Sequence, residues 1–155
     1  MIPIDDSPSL RSGVPRLVLD TNVVLDWLLF RNPGCGPLAD ALSSGRVLWV
    51  ATAAMHEELG HVLARSALQT WAPDVPAIIA ARDRWAHTIA ARPGPLQPRL
   101  RCTDPDDQKF IDLALQLGSA SLLSRDRAVL KLARRAREAG IAILTPEAWA
   151  MSIGA

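Results

Sequence analysis

Leu17-Val18-Leu19-Asp20-Thr21-Asn22 is the stretch on which the reading of this chain turns. Three apolar residues without alternation mark a short strand buried on both faces, as strands of parallel sheets are. The polar residues that end the run then fall at the carboxyl edge of the sheet, where open α/β folds place their sites. Ser121-Leu122-Leu123-Ser124-Arg125-Asp126 repeats the arrangement near the other end of the chain. Two strand ends that each deliver a carboxylate, Asp20 and Asp126, point to a shared acidic pocket. An acidic pocket points to a cation.

Outward from these two stretches the pattern alternates. Strands are expected at 16–20, 47–51, 121–124 and 141–144, and helices at 22–30, 37–44, 52–65, 77–91, 105–118 and 126–139. Pro33-Gly34 stops the first helix, Pro37 opens the second, Thr52 caps the third and Gly140 closes the last. Alternating strands and helices imply an α/β fold with a central parallel sheet and right-handed crossovers. Residues 66–100 are the least legible, interrupted by Pro73, Asp74 and Pro76 and stopped at Arg92-Pro93-Gly94-Pro95. Residues 1–14, with Pro3, Pro8 and Gly13, read as a flexible leader, and 15–155 as a single domain.

The 155 residues are enough to bury one core without staples. Net charge is +1, so any surface for nucleic acid must be local. Cys35 and Cys102 stand far apart without CxxC spacing, which argues against a disulfide framework or zinc knuckle and for a reducing cytosol. The first residues lack the basic and apolar regions of a signal peptide, and no apolar run reaches membrane-spanning length. A cytoplasmic protein with no membrane contact is expected.

Helical spacing sorts the acids. Met55, Leu59, Val62 and Leu63 form one apolar stripe; Glu57 falls opposite it and Glu58 on its flank. Asp104 and Pro105 suit the N-cap and first position of a helix, yet Asp106 and Asp107 both fall within the arc of Phe110, Leu113, Ala114 and Leu117. Asp112 falls on the far side, with Lys109 as its expected partner. Asp126 also suits an N-cap. Each acid alone is as well read as a cap; four on one sheet edge read as a site. Hard carboxylate oxygens suit Mg²⁺ or Mn²⁺ rather than Zn²⁺.

Three other features carry less. His56 and His61 are five apart, about 140° round a helix, and cannot share zinc as His-Glu-x-x-His does. Asp20-Thr21-Asn22 lacks the second Asp that phosphatases with a nucleophilic strand-end Asp require. Arg127, Lys131, Arg134 and Arg135 read first as a solvated helix face, and as phosphate contacts if that face borders the acids.

Leu-Val-Leu-Asp20-Thr-Asn22, Glu58-Leu59, Asp104-Pro-Asp-Asp107-Gln-Lys-Phe-Ile-Asp-Leu-Ala and Leu-Leu-Ser124-Arg-Asp126-Arg, in this order, resemble the PIN-domain nucleases from Leu17 to Trp149. The Asp-Pro-Asp-Asp form is similar to the branch grouped with the toxins of toxin–antitoxin systems. The resemblance implies a three-layer α/β/α fold. It implies Asp20, Glu58, Asp107 and Asp126 as catalytic and metal-ligating acids, with Thr21 or Asn22 and Ser124 as polar helpers. Asp104 and Asp106 remain candidates for ligation through water, and Asp26 is an extra acid one turn after Asn22. The activity implied is Mg²⁺- or Mn²⁺-dependent hydrolysis of RNA by an endoribonuclease without a covalent intermediate. The partner implied is a small antitoxin. A homodimer through Val24, Trp27, Leu28 and Leu38 is a further expectation. The alternative is a non-catalytic PIN-like scaffold that binds RNA or a protein.

Overall fold

A computed structural model describes residues 13–93 and 100–154. The expected leader therefore lies, apart from Gly13 and Val14, outside the described residues, as does the Gly94-Pro95 half of the expected helix stop. Strand β1 (Arg16–Leu19) has Leu17, Val18 and Leu19 buried, as its unbroken apolar run requires. It leads into helix α1 (Thr21–Leu28), a 3-10 turn (Pro33–Cys35), helix α2 (Gly36–Ser43) and strand β2 (Leu48–Ala51). Helix α3 (Ala53–Leu63) follows, with Met55, Leu59 and Leu63 turned to the core. Thr52 stands at its N-cap, but its side chain makes no capping hydrogen bond.

The segment that was hard to read folds differently from the expected single helix at 77–91. A 3-10 stretch (Ser66–Trp71) precedes helix α4 (Val75–Trp85), capped by Asp74, and the chain then becomes strand β3 (Ala86–Thr88). No Gly or Pro separates helix from strand, so local sequence gives no stop signal. Pairing with the free side of β2, where Trp49, Val50 and Ala51 align with Ala86, His87 and Thr88, overrides the helical pattern.

A 3-10 turn (Pro105–Asp107) leads into helix α5 (Gln108–Leu117), and strand β4 (Ser121–Leu123) follows. The helix expected at 126–139 is broken into α6 (Arg127–Leu130) and α7 (Ala133–Glu138), a bend that buries both Leu132 and Ala136. Gly140, at φ +87°, ends α7 in a conformation that favours glycine. Strand β5 (Ala142–Leu144) and helix α8 (Pro146–Ser152) complete the fold. The last helix was not expected. Thr145 caps it by accepting from the N–H of Ala148 at 3.1 Å, and Trp149 anchors it in the core.

The five strands among the described residues are all parallel in the order β3-β2-β1-β4-β5, with helices covering the sheet in a three-layer α/β/α arrangement. The chain runs outward from β1 to β3 on one side, then crosses back to place β4 on the other side of β1. The crevice between β1 and β4 is thus the topological switch point. Leu17, Val18 and Leu19 align with Ser121, Leu122 and Leu123, so the two strands end level and Asp20 and Ser124 emerge side by side. The N–H of Asp20 donates to the Leu123 carbonyl at 3.0 Å. Arg16 ties the other end of β1 to α5, donating to the carbonyls of Leu117 and Gly118. No helix among the described residues is long and apolar enough to cross a membrane.

Candidate metal centre

Asp20 is almost wholly buried at the head of α1. Its Oδ2 accepts from the Ser124 hydroxyl at 2.7 Å, and its Oδ1 accepts from the Asn22 N–H at 3.4 Å. Burial raises its pKa above the ordinary carboxylate value; these two hydrogen bonds oppose the shift, and the charges of Asp126 and Glu58 add to it. Ser124, fully buried, joins two acids. While donating to Asp20 it accepts from the Asp126 N–H at 3.0 Å. Asp126 in turn caps α6, accepting from the Ala128 N–H at 2.8 Å. Asn22 itself is exposed and touches Asp20 through its backbone.

Asp107 comes from the turn before α5 and is nine-tenths buried. Its Oδ2 is a buried atom without a hydrogen-bond partner among the described residues. The pKa of this acid is pushed up to about 7, first by burial and then by the negative charges of Asp20, Asp126 and Asp104, with a hydrogen bond shared with Asp126 acting the same way. Asp104, exposed at the start of the turn, caps it by accepting from the Asp106 N–H at 3.0 Å. One carboxylate oxygen each from Asp104, Asp107 and Asp126 lie within 4.8 Å of one another. Asp104 therefore both caps and converges, a dual role that its sequence position alone left open. Three hard oxygens, one of them from the acid whose Oδ2 is buried and unpartnered, match what Mg²⁺ or Mn²⁺ takes.

Glu58 reaches the same sheet edge from α3 but is engaged elsewhere. Its Oε2 accepts from the Thr21 hydroxyl and its Oε1 pairs with Lys109 Nζ at 2.6 Å. Lys109 also donates to the Asp106 carbonyl. This corrects the expected Lys109–Asp112 pair: Asp112 instead accepts from the Gln108 amide at 3.1 Å. Asp106 is exposed rather than turned with Asp107 into the apolar arc, because the 3-10 turn rotates it away.

Asp26 lies outside the acid group, paired with Arg125 Nε. Arg125 also grips Glu147 of α8 with both terminal nitrogens, at 2.8 and 2.6 Å, and holds the Glu147 carboxyl below the ordinary range. Gly34 makes room for this clamp, since a Cβ there would stand 2.1 Å from Glu147 Oε2. Sequence reasoning passed over Arg125, although it stands between Ser124 and Asp126, two residues it did single out. Arg127, Lys131, Arg134 and Arg135 are exposed but divided between α6, α7 and the bend, not one continuous face.

The crevice at the β1/β4 switch point, lined by acids from three separate segments, agrees with a comparison of sequences: the PIN domain profile matches residues 16–128. The chain belongs to the PIN domain family. PIN domains are generally metal-dependent nucleases, and the acidic trio of this PIN domain could hold the metal. No curated protein matches the chain closely enough to report.

Proposed function

We propose that this PIN domain is a Mg²⁺- or Mn²⁺-dependent endoribonuclease and the toxin of a type II toxin–antitoxin pair. The observation that supports it most is the buried, unpartnered Oδ2 of Asp107 beside Asp104 and Asp126. Once ionised, a carboxylate so placed is costly unless a cation meets it. Asp107, Asp126 and Asp104 are the proposed ligands, with Asp20 behind them. When bound, the cation supplies charge stabilisation at the phosphate and a more acidic water. Ser124 fixes the separation of Asp20 from Asp126 through its two hydrogen bonds. Thr21 fixes Glu58 in the same way. Lys109 and Arg101 line a cleft of about 480 Å³ together with Thr103 and Pro105, the neighbours of Asp104, and offer positive charge to an RNA backbone.

The proposed antitoxin places an Arg or Lys among the carboxylates and competes with the cation. For the proposed homodimer, Trp27 and Leu28 are the half-buried candidates, because Val24 and Leu38 are already buried within one chain.

Cleavage of a labelled RNA in Mn²⁺ by wild type, Asp107→Asn and Asp20→Asn tests the reading. The expected result is metal-dependent cleavage by wild type and a loss of at least ~10-fold to ~100-fold in each variant. Equal cleavage by Asp107→Asn would overturn it. Expression without growth arrest, in cells lacking an antitoxin, would overturn the toxin role alone.

A further inference from the structure

The acids at the sheet edge are divided, and Lys109 stands at the division. Asp104, Asp107 and Asp126 converge, and Glu58 is not a member of that group. Both of its oxygens are engaged, one by the Thr21 hydroxyl and one by the Lys109 ammonium at 2.6 Å. Lys109 is in turn held by the Asp106 carbonyl, so three segments, α1, α3 and the turn before α5, fix the ammonium in place. The pair is only about a quarter exposed, at 27% for Lys109 and 24% for Glu58. For Glu58 to ligate a cation, a partly buried ammonium would lose its counter-ion, and such a loss is costly.

Lysine suits this place. Its charge is compact and its stem flexible, unlike the planar fork of arginine. It also lines the cleft of about 480 Å³ together with Arg101, Thr103 and Gln108. A phosphodiester entering from that side meets the Lys109 ammonium and, at Thr103 and Pro105, the two residues on either side of Asp104.

We propose that Lys109 is a built-in cation on the Glu58 side of the acidic site, so that the site takes a single divalent ion on the Asp104–Asp107–Asp126 side while Lys109 supplies the second positive charge. This rests on the metal reading above. Glu58 is then a positioning residue for Lys109 and not a metal ligand, which departs from the role the resemblance implies.

Calorimetric titration of the full chain with Mn²⁺ tests it, using wild type, Glu58→Gln, Lys109→Met and the double variant. Wild type is expected to bind one ion. Glu58→Gln is expected to bind one ion with an affinity loss smaller than the ~10-fold that even an outer-shell partner costs. Lys109→Met is expected to bind two, and the double variant to return to one. Two ions in wild type, a Glu58→Gln loss beyond ~10-fold, or a single ion in a folded Lys109→Met chain would each overturn the proposal. Wild type and Glu58→Gln decide the matter if Lys109→Met does not fold. A wild-type chain that binds no ion would instead overturn the metal reading, and this proposal with it.

Discussion

Asp107 carries a cost that its environment can measure. In the fold it keeps its proton to about pH 7, because burial and three neighbouring aspartates disfavour its charge. In the unfolded chain it loses the proton near pH ~4. Between these values the folded state binds the extra proton, so the stability of the metal-free protein falls as pH rises from about 4 to about 7 and then levels. Asp20, whose pKa is also raised, acts in the same direction. Asp107→Asn should flatten that slope and melt no lower than wild type at pH 8, as followed by circular dichroism across pH. A variant with an unchanged slope would show that Asp107 does not titrate there. Which acids converge was partly legible in the sequence, because strand ends and helix starts fix Asp20, Asp107 and Asp126. Lys109 was not, because helical spacing offered it Asp112 three positions away and said nothing of Glu58 on another helix.

At the level of elements, the loop after β4 depends on one side chain. Arg125 joins Asp26 of α1 to Glu147 of α8, and Asp126 is its immediate neighbour. Arg125→Met should lower stability by about 1–2 kcal/mol, since its charged hydrogen bonds are partly screened by solvent. Gly34→Ala should act on the same contact by displacing Glu147. In a double-mutant cycle followed by urea denaturation, the two losses should be less than additive. Full additivity would mean that Gly34 acts elsewhere. Neither the clamp nor α8 was legible, because their pairing spans distant segments. β3 escaped for a related reason: three residues without punctuation become a strand only when the side of β2 is there to receive them. Strands β1 and β4 were read correctly because burial on both faces writes an unbroken apolar run.

For the whole molecule, a cation that binds only the folded chain must raise its melting temperature. At ~100 times the dissociation constant the gain is about 2.7 kcal/mol, or roughly 5–10 °C for a domain of this size. Thermal scans with Mn²⁺ should show that shift in wild type and in Glu58→Gln, and lose it in Asp107→Asn and Asp126→Asn. An equal shift in all four would place the ion away from the Asp104–Asp107–Asp126 group. The parallel sheet was readable from alternation alone and the three layers from the family resemblance; the strand order was not, since nothing local says on which side of β1 the returning chain will settle.

The hydrogen bond from Ser124 to Asp20 joins residues 104 positions apart. Its partner strands meet only after β4 has been synthesised, and a chain made from its N-terminus carries Asp20 and Glu58 long before Ser124 and Asp126 exist. No product of premature termination before Leu123 can assemble the crevice. The order of synthesis thus keeps every such fragment without the acidic centre, whatever that centre acts on.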